Sequence, residues 1–337
     1  MKNMSELLFK IDSQLKTEYL SIKPRETAHS DYFVLRSADE YEESMQKELY
    51  NMNYSELNQL LVLKFKNSSS KAIAKNVSIL KNYIDFCIEK NMVLHGENRL
   101  AMFTSEDIRD IVNKQALGSK YITRFELDKY KNMLYNEQDK LMLELLFIGV
   151  KGRPSQEGTL EEIINLKMSD VDKEKRRLIL SQNNGKHRLL ENVPASTIEL
   201  IEETYNQKFY VENNGQITGN PRSPNPRETI INYFEGYVFR TPGKDRFSQL
   251  GKSMLNSRLR KIQKILDNYY ITWTSIYMSG MLDMLYNLKM EKGELTKEDY
   301  NIVCNRFNYA IEDNGEGRYW SNLKTTFHEY LEVKNLI

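Results

Sequence analysis

Residues 240–264 hold eight basic side chains, Arg240, Lys244, Arg246, Lys252, Arg258, Arg260, Lys261 and Lys264, against one acid, Asp245. Across residues 253–266 Met254, Leu255, Leu259, Ile262 and Leu266 recur at helical spacing. Arg258, Arg260, Lys261 and Lys264 are then expected to fall outside the apolar stripe. A helix face of one charge sign is suited to phosphates, because each neutralised phosphate releases counterions. A plain solvated basic helix is the alternative. Ser68, Ser69, Ser70, Lys71 and Lys75 form a weaker case. They place hydroxyls, orphan N–H groups and lysines at a helix N-terminus, where anions are favoured. Ordinary capping explains the serines equally well.

Other chemistry is poorly represented. Gly149-Val150-Lys151-Gly152-Arg153-Pro154 and Asn183-Asn184-Gly185-Lys186-His187 contain no GxxxxGK[ST] pattern. The four histidines, His29, His95, His187 and His328, are widely separated, so neither a metal site nor a Ser–His–Asp arrangement is expected. Cys87 and Cys304 stand alone, which fits a reducing compartment without a disulfide framework. No cofactor is expected. No apolar run approaches a membrane span and the N-terminus lacks a signal-peptide core, so a cytoplasmic protein is expected, with no membrane partner. The net charge of +1, from 48 basic and 47 acidic residues, leaves segregation of charge as the deciding question.

The elements that must position these residues are mostly helices. With 337 residues, 15 Gly and 7 Pro, the chain is long enough for two domains and poor in turn formers. Residues 1–36 read as an N-terminal amphipathic helix or arm with a polar turn at Ile22-Lys23-Pro24-Arg25. Ser37 followed by Glu40 reads as a cap. Further helices open at Asn53-Tyr54-Ser55-Glu56, at Ser68 and at Thr104-Ser105-Glu106-Asp107, giving a compact helical domain over 37–118 that exits at Gly118-Ser119-Lys120. A second domain spans 119–337, with helices over 123–148, 160–167, 196–207 and 248–267. Residues 177–180 and 188–193 flank Asn183-Asn184-Gly185 and read as a hairpin with two positive-φ residues at its turn. Residues 212–228 read as a loop. The fold class is thus mainly α with a small β-sheet (α+β).

Four stretches carry a resemblance to the catalytic domain of tyrosine recombinases and phage integrases. Residues 147–172 resemble the family's Gly-x-Arg segment, its glutamate and its Leu-x-x-x-Asp-hydrophobic-Asp. Residues 176–194 resemble its lysine-bearing β-hairpin. Residues 271–285 and 305–332 occupy the places of the His-x-x-Arg box and the nucleophile region, and residues 37–115 resemble the helical (SAM-like) core-binding domain. The resemblance implies a two-domain DNA clamp in which two arginines bind a phosphate, a lysine and a histidine or tryptophan move protons, and a tyrosine attacks.

Residue by residue the chain departs from that pattern. Lys151 or, with a shifted register, Arg153 stands at the first arginine, behind an insertion of about eight residues before Glu162. Lys186 matches the hairpin lysine and Tyr319 the nucleophile, so the vestigial catalytic positions are Arg153, Lys186 and Tyr319. Thr274 stands for the histidine and Tyr277 for the second arginine, and neither can replace what it stands for. The resemblance therefore implies DNA binding without recombinase activity. The DNA-contacting residues expected are Ser70, Lys71, Lys75, Lys120, Lys186, Arg188, Lys244, Arg246, Arg258, Arg260 and Lys261. The pattern is similar to that of the integrase-like lysogeny repressors of the SPβ group of Bacillus phages, which implies repression of lytic genes at operator sites on double-stranded DNA. An anti-repressor protein and a second copy of the chain are the further partners this implies; residues 320–337, the C-terminal helix, are amphipathic enough to pack either on their own chain or on that second copy. The alternative is an active recombinase whose second arginine is Arg240, Arg258 or Arg318.

Overall fold

The computed structural model describes residues 13–68, 70–94, 96–152, 160–216, 226–309 and 319–336. It divides into two compact units, Met1–Leu117 and Gly118–Ile337. Among the described residues no helix is long and apolar enough to cross a membrane.

The first unit is helical. In chain order it carries α1 (Gln14–Ser21), α2 (Arg25–Met45), α3 (Tyr54–Phe65), α4 (Ser70–Glu89) and α5 (Ser105–Ile111), and α6 (Lys114–Lys120) leads out of it. Capping boxes start α3 at Asn53 with Glu56 and α5 at Thr104 with Asp107, each satisfying two otherwise orphan donors. The core is built from α1 to α4: Tyr19 and Leu20, Leu35 and Ala38, Leu57, Leu60 and Leu61, and Ile73, Leu80 and Tyr83. Two expectations are corrected here. The cap read at Ser37 does not exist, because α2 runs unbroken from Arg25 to Met45 and Ser37 donates its hydroxyl to the Phe33 carbonyl one turn back. Nor do residues 13–36 stand apart as an arm, since α1 and the first half of α2 supply core side chains; residues 1–12 lie outside the described residues. Lys16 of α1 is buried and paired with Asp39 and Glu42 of α2.

The second unit sets helices around two small sheets. Its elements are α7 (Arg124–Met133), α8 (Glu137–Ile148), α9 (Glu161–Ile164), β1 (Val171–Asp172), β2 (Arg177–Ser181), β3 (His187–Leu190), α10 (Ala195–Asn206), β4 (Phe209–Val211), β5 (Glu228–Ile230), α11 (Lys252–Ile265), α12 (Trp273–Lys292), α13 (Lys297–Arg306) and α14 (Tyr319–Val333). Strands β1, β2 and β3 form one antiparallel sheet, and β4 pairs β5 in another. α8 is the central element: every residue from Leu141 to Ile148 is buried. α12 lies against it at Gly280, where a Cβ would stand 1.8 Å from the Phe147 carbonyl oxygen, so only glycine permits this approach.

The expected hairpin is present, with Leu178 opposite Leu190 and Leu180 opposite Arg188. Its turn differs from the expectation. Of the turn residues only Gly185 has positive φ, at 76°, and the Gln182 amide bonds to the Lys186 carbonyl, so the loop is longer than a two-residue Asn-Gly turn. β4 and β5 are an addition to the expected fold.

Candidate functional site

The centre of the second unit is assembled from the end of α8, α9, β3, the start of α12 and the end of α13. Gly149 closes α8 in the left-handed conformation, and Lys151 follows it into the interior. The Lys151 ammonium donates to Thr274 Oγ1 at 3.3 Å and lies 5.1 Å from the centroid of the Tyr277 ring. Lys151, one of the two residues read at the first arginine, is thus brought together with the residues read at the histidine and the second arginine; Arg153, the other, lies outside the described residues. Lys151 is 7% exposed and Tyr277 is 5% exposed. Burial lowers the Lys151 ammonium from its usual value, and burial raises the Tyr277 phenol. Tyr277 also packs edge-on against Phe307, with ring centroids 5.2 Å apart. Its ring occupies interior space without bringing positive charge.

Glu162 is fully buried at the floor of this centre. Its Oε1 accepts from Arg188 Nε at 2.6 Å, and its Oε2 accepts from Arg188 Nη2 at 2.7 Å and from the Lys151 amide at 3.0 Å. Gln182 Nε2 adds a bond at 3.3 Å. Arg188 in turn donates to the Gly149 carbonyl at 2.5 Å and to the Arg306 carbonyl at 2.9 Å. This guanidinium is held on four acceptor atoms of three residues and joins β3, α8, α9 and α13. The expectation that Arg188 faces DNA is therefore corrected. The signal was available, because Arg188 shares strand parity with the buried Leu190.

α12 is positioned from its first turn onward. Thr272 and Ser275 form a capping box, Trp273 Nε1 donates to Asn256 Oδ1 of α11 at 2.7 Å, and Ser279 Oγ accepts from the Ile122 amide at 3.0 Å. These contacts fix the register that presents Thr274 and Tyr277 to Lys151.

On α11 the stripe is Leu255, Arg258, Leu259 and Ile262, and Arg260, Lys261 and Lys264 are exposed. Arg258 corrects the sequence expectation: it is 3% exposed, and its Nη1 donates to Gln138 Oε1 at 3.0 Å and lies 3.4 Å from Asp139 Oδ1. Its guanidinium carbon lies 4.2 Å from the centroid of Tyr210, whose hydroxyl donates to Asp139 Oδ2 at 3.0 Å. Arg258 fastens α11 to α8. Lys252, Ser253, Asn256, Ser257 and Arg260 line a shallow polar concavity on the same helix.

The remaining positions divide clearly. Lys186, Lys244, Arg246 and Lys75 are exposed. Ser70 opens α4 half-buried. Lys120 is half-buried with its ammonium 5.2 Å from the centroid of Tyr121, and burial lowers its pKa. Arg240 is buried and donates to the Tyr205 carbonyl at 2.5 Å. Arg153, Arg318 and the side chains of Lys71 and Tyr319 lie outside the described residues; the backbone of Tyr319 opens α14. That helix packs in cis, with Leu323, Phe327, Tyr330 and Leu331 buried and Lys334 of the following turn bonded to both oxygens of Glu126 at 2.7 and 2.6 Å. Of the two expected packings, on its own chain or on a second copy, the described residues show the first.

Two family models match the chain. One, described as MrpR, C-terminal catalytic domain, matches residues 121–336. The other, described as MrpR, N-terminal core-binding domain, matches residues 10–89. The SPbeta prophage-derived uncharacterized protein YopR of Bacillus subtilis (strain 168) is 22% identical over 303 residues, 89% of each chain. Among solved structures, the Tn1549 transposon integrase in complex with a circular intermediate DNA is 13% identical with a TM-score of 0.44, over 94% of both chains. A lambda integrase dimer bound to a COC' core site is 13% identical with a TM-score of 0.43, over 92% of this chain and 76% of that one.

Proposed function

The chain belongs to the MrpR family, and from that premise we propose that it is a sequence-specific double-stranded-DNA-binding protein, a prophage repressor of lytic genes that maintains lysogeny without strand exchange. The observation that carries this reading is the make-up of the centre around Lys151. Phosphoryl transfer needs preorganised positive charge around the phosphate oxygens. Here Thr274 and the buried Tyr277 stand beside a lysine whose charge is disfavoured by burial, and Arg188 is bonded to Glu162 and two carbonyls. Arg240 and Arg258, which could have supplied a second arginine to an active recombinase, are bound elsewhere in the unit.

DNA contact falls to the exposed cations Lys186, Lys244, Arg246, Arg260 and Lys261 in the second unit and Lys75 in the first. Binding of this kind needs charge and shape, whereas turnover needs an activated nucleophile. A tyrosine nucleophile must be activated by positive charge and a general base brought to its hydroxyl. A repressor of this design acts by occupying operator sites, and an anti-repressor protein or a second copy would act by changing that occupancy.

Genome-wide occupancy in a native lysogen, with the parent and with Tyr319→Phe, tests the reading. The same sites occupied and the same genes repressed by both proteins is the expected result. A covalent adduct on a nicked duplex carrying an occupied site, present in the parent and lost in Tyr319→Phe, would overturn it.

A further inference from the structure

Residues 239–250 fold back on themselves: the Leu250 amide bonds to the Phe239 carbonyl at 2.9 Å, and the Thr241 amide to the Ser248 carbonyl at 2.9 Å. The tip between them turns at the bond from the Arg246 amide to the Gly243 carbonyl, 3.1 Å, and is anchored to β5 by the Gly243 amide on the Ile230 carbonyl, 2.8 Å. Asn232 pins the tip from below. Its Nδ2 lies 2.9, 3.1 and 2.9 Å from the carbonyl oxygens of Gly243, Lys244 and Arg246. An amide nitrogen has two hydrogens, so two of the three bonds are full at any moment and all three carbonyls are kept on one side. The Ser248 hydroxyl, which donates to Thr241 Oγ1 at 3.1 Å, secures the other flank.

This rigid tip presents Lys244, Asp245, Arg246 and Phe247 to solvent, and Phe247 is 61% exposed. A phenyl ring held out on a pinned turn contributes nothing to the core and is available for contact. Arg246 is its chain neighbour and Lys244 is on the same turn, so what meets the ring must also welcome positive charge. Duplex DNA satisfies both demands, with phosphates on the groove walls and apolar base faces between them. Apolar wedges entering from the minor groove unstack a base step in this way.

We propose that residues 243–247 form a DNA wedge, with Phe247 entering a base step and Lys244 and Arg246 on the flanking phosphates. The inference rests on the DNA-binding reading above. Asn232 is a positioning residue: it holds the tip and does not touch DNA. Insertion would unwind the duplex locally, which a phosphate-only surface does not require.

The test uses the full chain and a closed circular plasmid relaxed by topoisomerase I, with a 40-base-pair mixed-sequence duplex for affinity by fluorescence anisotropy. The parent is expected to shift the topoisomer distribution. Phe247→Ala should bind the duplex within about threefold of the parent at low salt yet lose the shift, and Phe247→Trp should keep it. Lys244→Ala with Arg246→Ala should lower the slope of log affinity against log salt by about 2. An unchanged shift in Phe247→Ala, or a parent that binds without any shift, would overturn the wedge and leave DNA binding standing. The former result would point to a protein partner for the tip. A parent that binds no duplex at low salt would remove both readings together. All these side chains are exposed, and unchanged melting temperatures of the variants exclude misfolding as the cause.

Discussion

Arg188 Nε and Nη2 grip the two carboxylate oxygens of Glu162 at 2.6 and 2.7 Å in the interior of the second unit. The pair ties strand β3 to helix α9, and the carbonyls of Gly149 and Arg306 complete the guanidinium's partners. A buried charge pair of this kind is neutral to stability only while it is intact.

Removing one partner should therefore be costly. Glu162→Ala or Arg188→Ala is expected to lose about 3–5 kcal/mol, because each leaves an uncompensated buried charge. Urea unfolding of the second unit measures it. A loss below about 1 kcal/mol would mean that water reaches the pair.

Arg258 and its neighbours on α11 should separate cleanly. Arg258→Ala breaks the contacts with Asp139, Gln138 and the Tyr210 ring, and is expected to destabilise by about 3–5 kcal/mol. Arg260→Ala and Lys261→Ala lie on the exposed face and should leave stability within about 0.5 kcal/mol. Each is expected to shallow the salt slope of DNA binding by about 1. The opposite ranking, with Arg258→Ala stable and weak in binding, would count against the buried position.

Lys151 gives a pH dependence of definite sign. Its folded pKa is depressed by burial below its unfolded value, so the unfolded chain binds more protons between the two. Stability contributed by this group therefore rises with pH through that window. Lys151→Met should be at least as stable as the parent at pH 7, and its advantage should shrink as pH rises toward 10. Melting curves across that range check it; an advantage that grows with pH would reverse the assignment.

Gly280→Ala should be destabilising, because the new methyl meets the Phe147 carbonyl oxygen and the two packed helices must separate. A loss of about 1–3 kcal/mol is expected from overpacking of this kind, with backbone on one side of the clash pushing it to the upper end. Thermal unfolding of the variant decides it.

Local rules carried much of this fold in the sequence. The helix starts at Asn53 and Thr104 were visible because the signals, an Asn or Thr with an acid three residues on, are local. The β2–β3 hairpin was visible from its apolar runs and Gly185. Strands β4 and β5 were hidden, since each has three residues and the residues between them are many. At the site, Lys151, Thr274 and Tyr277 were placed by segment order alone. Arg258 was misread because its charge outweighed its position. It falls three residues after Leu255 and four before Ile262, on the buried stripe, and its partner Asp139 is over a hundred residues away. The cap expected at Ser37 failed for the opposite reason: α2 is held by core contacts that override a weak local stop.

The saturated centre makes gain of a second arginine there a barrier rather than a step. Tyr277→Arg alone would add a cation beside Lys151 and near Arg188, with the Glu162 carboxylate already occupied by four donors. The newcomer would be buried without a counter-ion, and the fold would lose stability before any chemistry could be rewarded. On the repressor reading proposed above, a lineage carrying this interior is ratcheted: the way to a phosphate clamp runs through at least two simultaneous changes, one to bring the guanidinium and one to free or supply a carboxylate.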